Sequence, residues 1–195
     1  MSEITRMVVV LCLIAGVCSA ALTSANVLLA PYVDKQTDLY VRGPALERLF
    51  GQPAEKVLGN KIVVPSEKGD VPVFFSREGK DVSILAVEAI GKGGFGGDLK
   101  IIVGIDLINQ RQAGMEVVSH SETPGLGARI EEPGFRRQWQ GLPLDKHLAV
   151  TADGGIIDSI SGASTTSRAA VNGTNDVLDF FGENKDEILK MIAEL

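Results

Sequence analysis

Residues 7–30 form an uncharged and mostly apolar run, the longest hydrophobic stretch in the chain. Coiled as a helix it reaches about 36 Å, enough to cross a bilayer with some tilt. Past it the pattern shortens. Residues 44–50 predict a short helix, and runs rich in β-branched and aromatic residues at 61–64, 71–75, 82–90, 99–107 and 115–119 predict strands separated by Gly, Pro and Asp. The second half changes period. A short helix is expected at 135–140 and a strand near 148–151. A helix starting near Ser164 then places Ala170, Val171, Val177, Leu178 and Phe181 on one face, and an amphipathic terminal helix is expected over 185–195. Strands first and helices later give an α+β class, with a mainly antiparallel sheet and a helix covering one of its faces.

The pattern divides the chain into a transmembrane anchor at 1–33, a juxtamembrane linker with a short helix at 34–60, and one domain at 61–195. A cleaved secretory signal competes with the anchor, because Cys18, Ser19 and Ala20 are small, but the apolar core of such a signal is normally shorter. Both cysteines, Cys12 and Cys18, fall inside the span, so neither a disulfide nor a cysteine metal site is implied for the domain. Arg6 and the terminal amine precede the span, while Asp34, Lys35 and Asp38 follow it. This weak positive-inside bias places the domain on the extracytoplasmic side of the inner or plasma membrane in a single pass. The net charge of -6 argues against a nucleic-acid partner.

Candidate chemistry concentrates in residues 158–168, where Ser159, Ser161, Ser164, Thr165, Thr166 and Ser167 surround the Gly162 and Ala163 step and a helix follows. A helix N-terminus offers unpaired N–H groups and the positive end of the macrodipole, which suits a phosphate. Ser and Thr are also ordinary N-cap residues, so the composition alone leaves both readings open. Upstream, residues 122–127 read Glu-Thr-Pro-Gly-Leu-Gly. Pro124 suits the first central position of a turn and Gly125 a second that needs positive φ. A third cluster at 91–97 lacks the Lys-Ser/Thr ending of a phosphate loop and precedes a strand, so it reads as a tight hairpin connection with Phe95 exposed or near a ligand. His120 and His147 lack a Gly-x-Ser-x-Gly elbow, so no catalytic or metal-ligating residue is expected. Trp139 reads as a packing residue beside Phe135.

Asp158, Ser161, Gly162, Ala163, Ser164, Thr165 and Thr166 resemble the flavinylation motif of the FMN-binding subunits of membrane redox pumps, and the segment from Glu122 to Gly127 is similar to a second signature of that family. Within it the chain is most similar to the G-type branch found in Rnf-type ion-translocating ferredoxin:NAD+ oxidoreductases. The C-type branch of sodium-pumping NADH:quinone reductases shares the motifs in longer chains. A flavin-free anchored binding or assembly module is the alternative outside the family.

The resemblance implies covalent FMN, esterified through its phosphate to Thr166, with Ser161, Gly162, Ala163, Ser164, Thr165 and Arg168 around the phosphate. Glu122, Thr123, Gly125, Leu126 and Gly127 are implied at the ring, with a flavin-facing role open to Phe95. A threonine hydroxyl is a poor nucleophile and the motif holds no base for it. The resemblance supplies an exported, Mg²⁺-dependent flavin transferase that takes FMN from FAD. It also implies the other membrane subunits of an Rnf-type complex as partners, and electron transfer without independent substrate chemistry.

Overall fold

The computed structural model describes residues 2–66, 69–78 and 81–195, in two compact units divided after Asp38. The first contains helix α1, Glu3–Thr37, which includes Pro31 and is long and apolar enough to cross a membrane.

In the second unit, Leu39–Leu195, a π-helical turn at Asp38–Arg42 leads into α2, Gly43–Phe50, and α3, Ala54–Leu58. Gly51 ends α2 in the left-handed region, φ 64°, where its N–H donates to Glu47 O. Five strands follow as an antiparallel meander in sequence order: β1 Lys61–Val64, β2 Val71–Glu78, β3 Asp81–Gly94, β4 Gly97–Asp106 and β5 Arg111–Ser119. The five expected strands are all present, most of them longer at the ends.

Both faces of the sheet are covered. On one, Ala45, Leu46, Phe50 and Val57 of α2 and α3 pack on Phe74, Ala86 and Ile102. On the other, Val73, Phe75, Leu85, Val87, Ile101, Val103 and Ile105 meet α5, Ser164–Ala193. This explains the nearly continuous apolar run of β4, since a strand buried on both faces has no polar side to show. The 34–60 stretch, expected to be a linker, therefore holds two packed helices.

Three other expectations differ. The predicted helices near 164 and over 185–195 are one helix, α5, which runs through Gly182. Glycine costs a helix about 1 kcal/mol relative to alanine, whereas burying Ile188 and Ile192 on the face of Phe181 returns about 1.5–3 kcal/mol each. Arg77 then donates to Ile192 O at the C-terminal end. The strand expected near 148–151 is a single parallel bridge, Val150 to Ile157. The helix expected at 135–140 is one α-turn, α4 Pro133–Arg136, tightening into 3-10 geometry at Arg137–Trp139. Trp139 is fully buried there. Its ring meets Phe135 edge-on at 5.1 Å and its Nε1 donates to Thr174 Oγ1 at 2.8 Å, tying this turn to α5.

The start of α5 is located by glycine. A Cβ on Gly91 of β3 would overlap the carbonyl oxygen of Ala169, and one on Gly173 would lie 3.0 Å from Gly91 Cα. Helix and strand thus touch backbone to backbone.

Candidate functional site

Three glycine-containing turns meet at the N-terminal end of α5. The first is the β3–β4 hairpin, where Gly94 pairs with Gly97 across Phe95 and Gly96. Its glycines have a local reason. A Cβ on Gly96 would overlap Ser121 O, and one on Gly94 would stand 2.6 Å from Glu122 Oε1. Gly96 N–H donates to that Oε1 at 3.1 Å, so a nearly buried carboxylate, 6% exposed, fastens the hairpin to the following segment. Phe95 at the tip is 80% exposed.

The second turn is Thr123, Pro124, Gly125 and Leu126. Leu126 N–H donates to Thr123 O at 3.1 Å and Gly125 takes φ 76°, as the Pro-Gly pair predicts. Ala128 N–H returns to the same Thr123 oxygen. The turn enters on Glu122, whose N–H donates to Nδ1 of His120. The other ring nitrogen of His120 lies 3.2 Å from Glu131. His120 is a structural link, and His147 pairs at the surface with Asp179.

The third turn opens the motif. Ala163 N–H donates to Ile160 O across Ser161 and Gly162, with Gly162 at φ 79°. Ser167 fixes it by accepting from Ile160 N–H and donating to Ala163 O. Asp158 is held by Gln138, which accepts its N–H and donates to its carbonyl.

The second and third turns touch. A Cβ on Gly162 would lie 3.3 Å from Leu126 Cδ2. One on Gly127 would overlap Glu122 Oε2 and stand 2.9 Å from Thr166 Oγ1. Glu122, Gly127 and Thr166 therefore enclose one small space. Thr166 is 0% exposed, and neither its Oγ1 nor Glu122 Oε2 has a hydrogen-bond partner. Ser161, Gly162, Ser164 and Thr165 are exposed, whereas Ala163 is buried.

Two expectations about this segment change. Ser164 and Thr165 do not serve as capping hydroxyls: the N-cap residue is Ala163 and no side chain caps the helix. The first-turn N–H groups of α5 are thus left to another acceptor. Arg168, expected beside the phosphate, instead forms a two-pronged pair with Asp153, at 2.7 and 2.9 Å. The guanidinium's hydrogen bonds hold the Asp153 carboxyl below its ordinary range, and Asp153 raises Arg168 in turn. Neither Asp153 nor the Gly96 tether of Glu122 was visible in local sequence, since each partner lies far along the chain. A cavity of about 280 Å³ lined by Arg48, Glu116, Arg136 and Arg137 includes none of these residues.

Residues 94–179, which span both motifs, match the family model described as FMN-binding domain. The chain is 34% identical over 129 residues to the G protein of the ion-translocating oxidoreductase complex of Shewanella piezotolerans, covering 63% of this chain and 60% of that one. It is 36% identical over 124 residues to the protein of the same name from Pseudomonas aeruginosa, covering 60% and 58%. The chain thus spans about 60% of the length of these curated relatives. A crystal structure of the C component of the Na(+)-translocating NADH-quinone reductase from Parabacteroides distasonis aligns with a TM-score of 0.46 at 26% identity, over 54% of this chain and 60% of that one. Through residues 94–179 the chain belongs to the FMN-binding domain family.

Proposed function

We propose that the protein is a membrane-anchored electron-transfer subunit of an Rnf-type ion-translocating oxidoreductase, carrying FMN as a phosphoester on Thr166. One observation carries the reading: the turn at 123–127 and the motif at 158–166, far apart in sequence, converge on the uncapped start of α5.

The residues suit FMN at both ends. At the phosphate end, the first-turn N–H groups of α5 lack a side-chain cap, and Thr166 Oγ1 is a hydroxyl without a partner. Anions are favoured at such a helix end by both the donors and the macrodipole. At the ring end, Leu126, 48% exposed, and the exposed Phe95 supply apolar surface on two turns that Glu122 fastens together. Thr123, Gly125 and Gly127 let a flat ring approach the backbone. Bound FMN supplies the redox chemistry, and the protein sets its position, solvation and hydrogen bonding.

Attachment requires a partner enzyme, because none of Ser161, Ser164 or Thr165 can act as a base for Thr166. We assign that role to an exported, Mg²⁺-dependent flavin transferase using FAD. The relatives are named as parts of a multi-subunit complex, which supports further membrane subunits as electron partners. Helix α1 anchors the domain at the inner membrane and the domain faces outward.

Natively produced protein should fluoresce as a flavoprotein after denaturing electrophoresis, and peptide mass spectrometry should place the FMN on Thr166. A colourless chain would instead be an anchored module without flavin, and FMN on Thr165 or Ser164 would overturn the attachment site.

A further inference from the structure

Thr166 is the one residue of its motif that must react and also the one most completely enclosed. Its side chain has no exposure, its Oγ1 has no partner, and Glu122, Leu126 and Gly127 lie over it and its neighbours. Esterification needs more room than this. The attacking oxygen has to reach the flavin-side phosphorus of FAD in line with the departing AMP, inside the active site of a second protein.

The enclosing segment is built to be separable. Among the described residues no hydrogen bond joins residues 122–127 to residues 158–168; the two meet by side-chain contact alone. The bonds of the turn are internal, between Thr123 and Leu126 and between Thr123 and Ala128, so it can move as a unit. Glu122 is held through Oε1 and its N–H, while its Oε2 points unpartnered toward the space shared with Thr166. A buried hydroxyl and a buried carboxylate oxygen, both unsatisfied, make the closed arrangement poorly compensated without the cofactor.

We propose that the 122–127 turn is a latch over the modification site: flavin transfer takes place on an open state in which the turn has left Thr166, and the turn then closes against the attached cofactor. This rests on Thr166 being the attachment residue. In the open state the Thr166 Oγ–P bond forms, the P–O bond to AMP breaks, AMP leaves, and the threonine proton passes to the transferase or solvent. No oxidant or reductant is consumed. The population of the open state sets the rate of flavin loading, and the motif itself is unchanged between the two states.

The test uses the full-length chain in detergent, produced without flavin, with purified Mg²⁺-dependent flavin transferase and FAD. Flavin incorporation is followed by in-gel fluorescence and located by peptide mapping. Gly127→Ala places a methyl where Glu122 Oε2 and Thr166 Oγ1 now stand and pushes the turn outward. Leu126→Ala removes the half-exposed contact with Gly162 and leaves the core intact. Both variants keep residues 158–166 unaltered. We expect each to accept flavin on Thr166 several-fold faster than the parent, with faster amide exchange over 122–128. Loading at the parent rate or slower in the folded Leu126→Ala chain would overturn the latch while leaving Thr166 as the attachment site. Flavin mapped to Thr165 or Ser164 in the parent chain would overturn the attachment reading and the latch with it.

Discussion

Thr166→Val separates the chemistry of the motif from its packing. Valine keeps the shape and β-branching of threonine and replaces only the hydroxyl. That hydroxyl is buried and unpartnered. An unsatisfied buried polar group costs about 1–3 kcal/mol, so its removal should stabilise the flavin-free chain by about 1–2 kcal/mol once imperfect methyl packing beside Glu122 is allowed for. For a domain of this size the gain raises Tm by roughly 2–6 °C. The assay is urea unfolding of parent and variant, both made without a transferase. The midpoint should rise with the slope unchanged, because the surface exposed on unfolding is the same. Co-expression with the transferase should then give a yellow parent and a colourless variant. Thr165→Val is the control, since Thr165 is exposed: its stability should stay within about 0.5 kcal/mol and its colour should remain. A loss of about 1 kcal/mol or more in Thr166→Val would show that Oγ1 is satisfied in the native state, most simply by Glu122, and would refute the reasoning from its orphaned position.

Gly91→Ala should destabilise the domain by about 1–3 kcal/mol in the same unfolding assay, because the new methyl meets the backbone of Ala169 and neither can yield without moving α5. Gly182→Ala, on the same helix but with open space at its Cβ, should stabilise by up to about 1 kcal/mol. Thr174→Val removes the acceptor of the buried Trp139 N–H and should cost about 1–3 kcal/mol, with a shift in tryptophan fluorescence. Arg168→Gln should return the Asp153 carboxyl upward toward 3.8, followed by carboxyl-carbon NMR titration. A depressed carboxylate stabilises the fold above its unfolded pKa and loses that contribution as pH falls through its folded value, so the variant should flatten stability only in the acid range below about 4. An unchanged Asp153 titration in the variant would contradict the pairing.

The strands were legible because their signals are local: β-branched runs bounded by turn residues place Lys61–Val64 to the residue. The turn at Pro124 and Gly125 was legible for the same reason, since its backbone demands are written in two adjacent side chains. What escaped local patterns depends on distant partners. The continuity of α5 across Gly182 is decided by the burial of Ile188 and Ile192, which no window around the glycine contains. Arg168 turns away from the motif because Asp153 reaches it from a separate 3-10 turn. The enclosure of Thr166 arises where Glu122 and Gly127 arrive from another part of the chain, and only the paired motifs hinted that the two segments belong together. The 34–60 stretch resembles a linker because α3 is a single short turn, yet Leu46 and Val57 are among its most buried residues.

The contact between Gly91 and Gly173 has a mechanical consequence. It acts as a fulcrum for α5, seven residues from Thr166, a lever arm of about 10 Å at the helical rise. Tilting the helix by about 5° about that point would carry the tethering residue roughly 1 Å sideways. Removing both side chains at the pivot lets backbone rest on backbone and leaves the lever little play, so the reach of a cofactor on Thr166 toward its electron partners is set by the stiffness of a single contact.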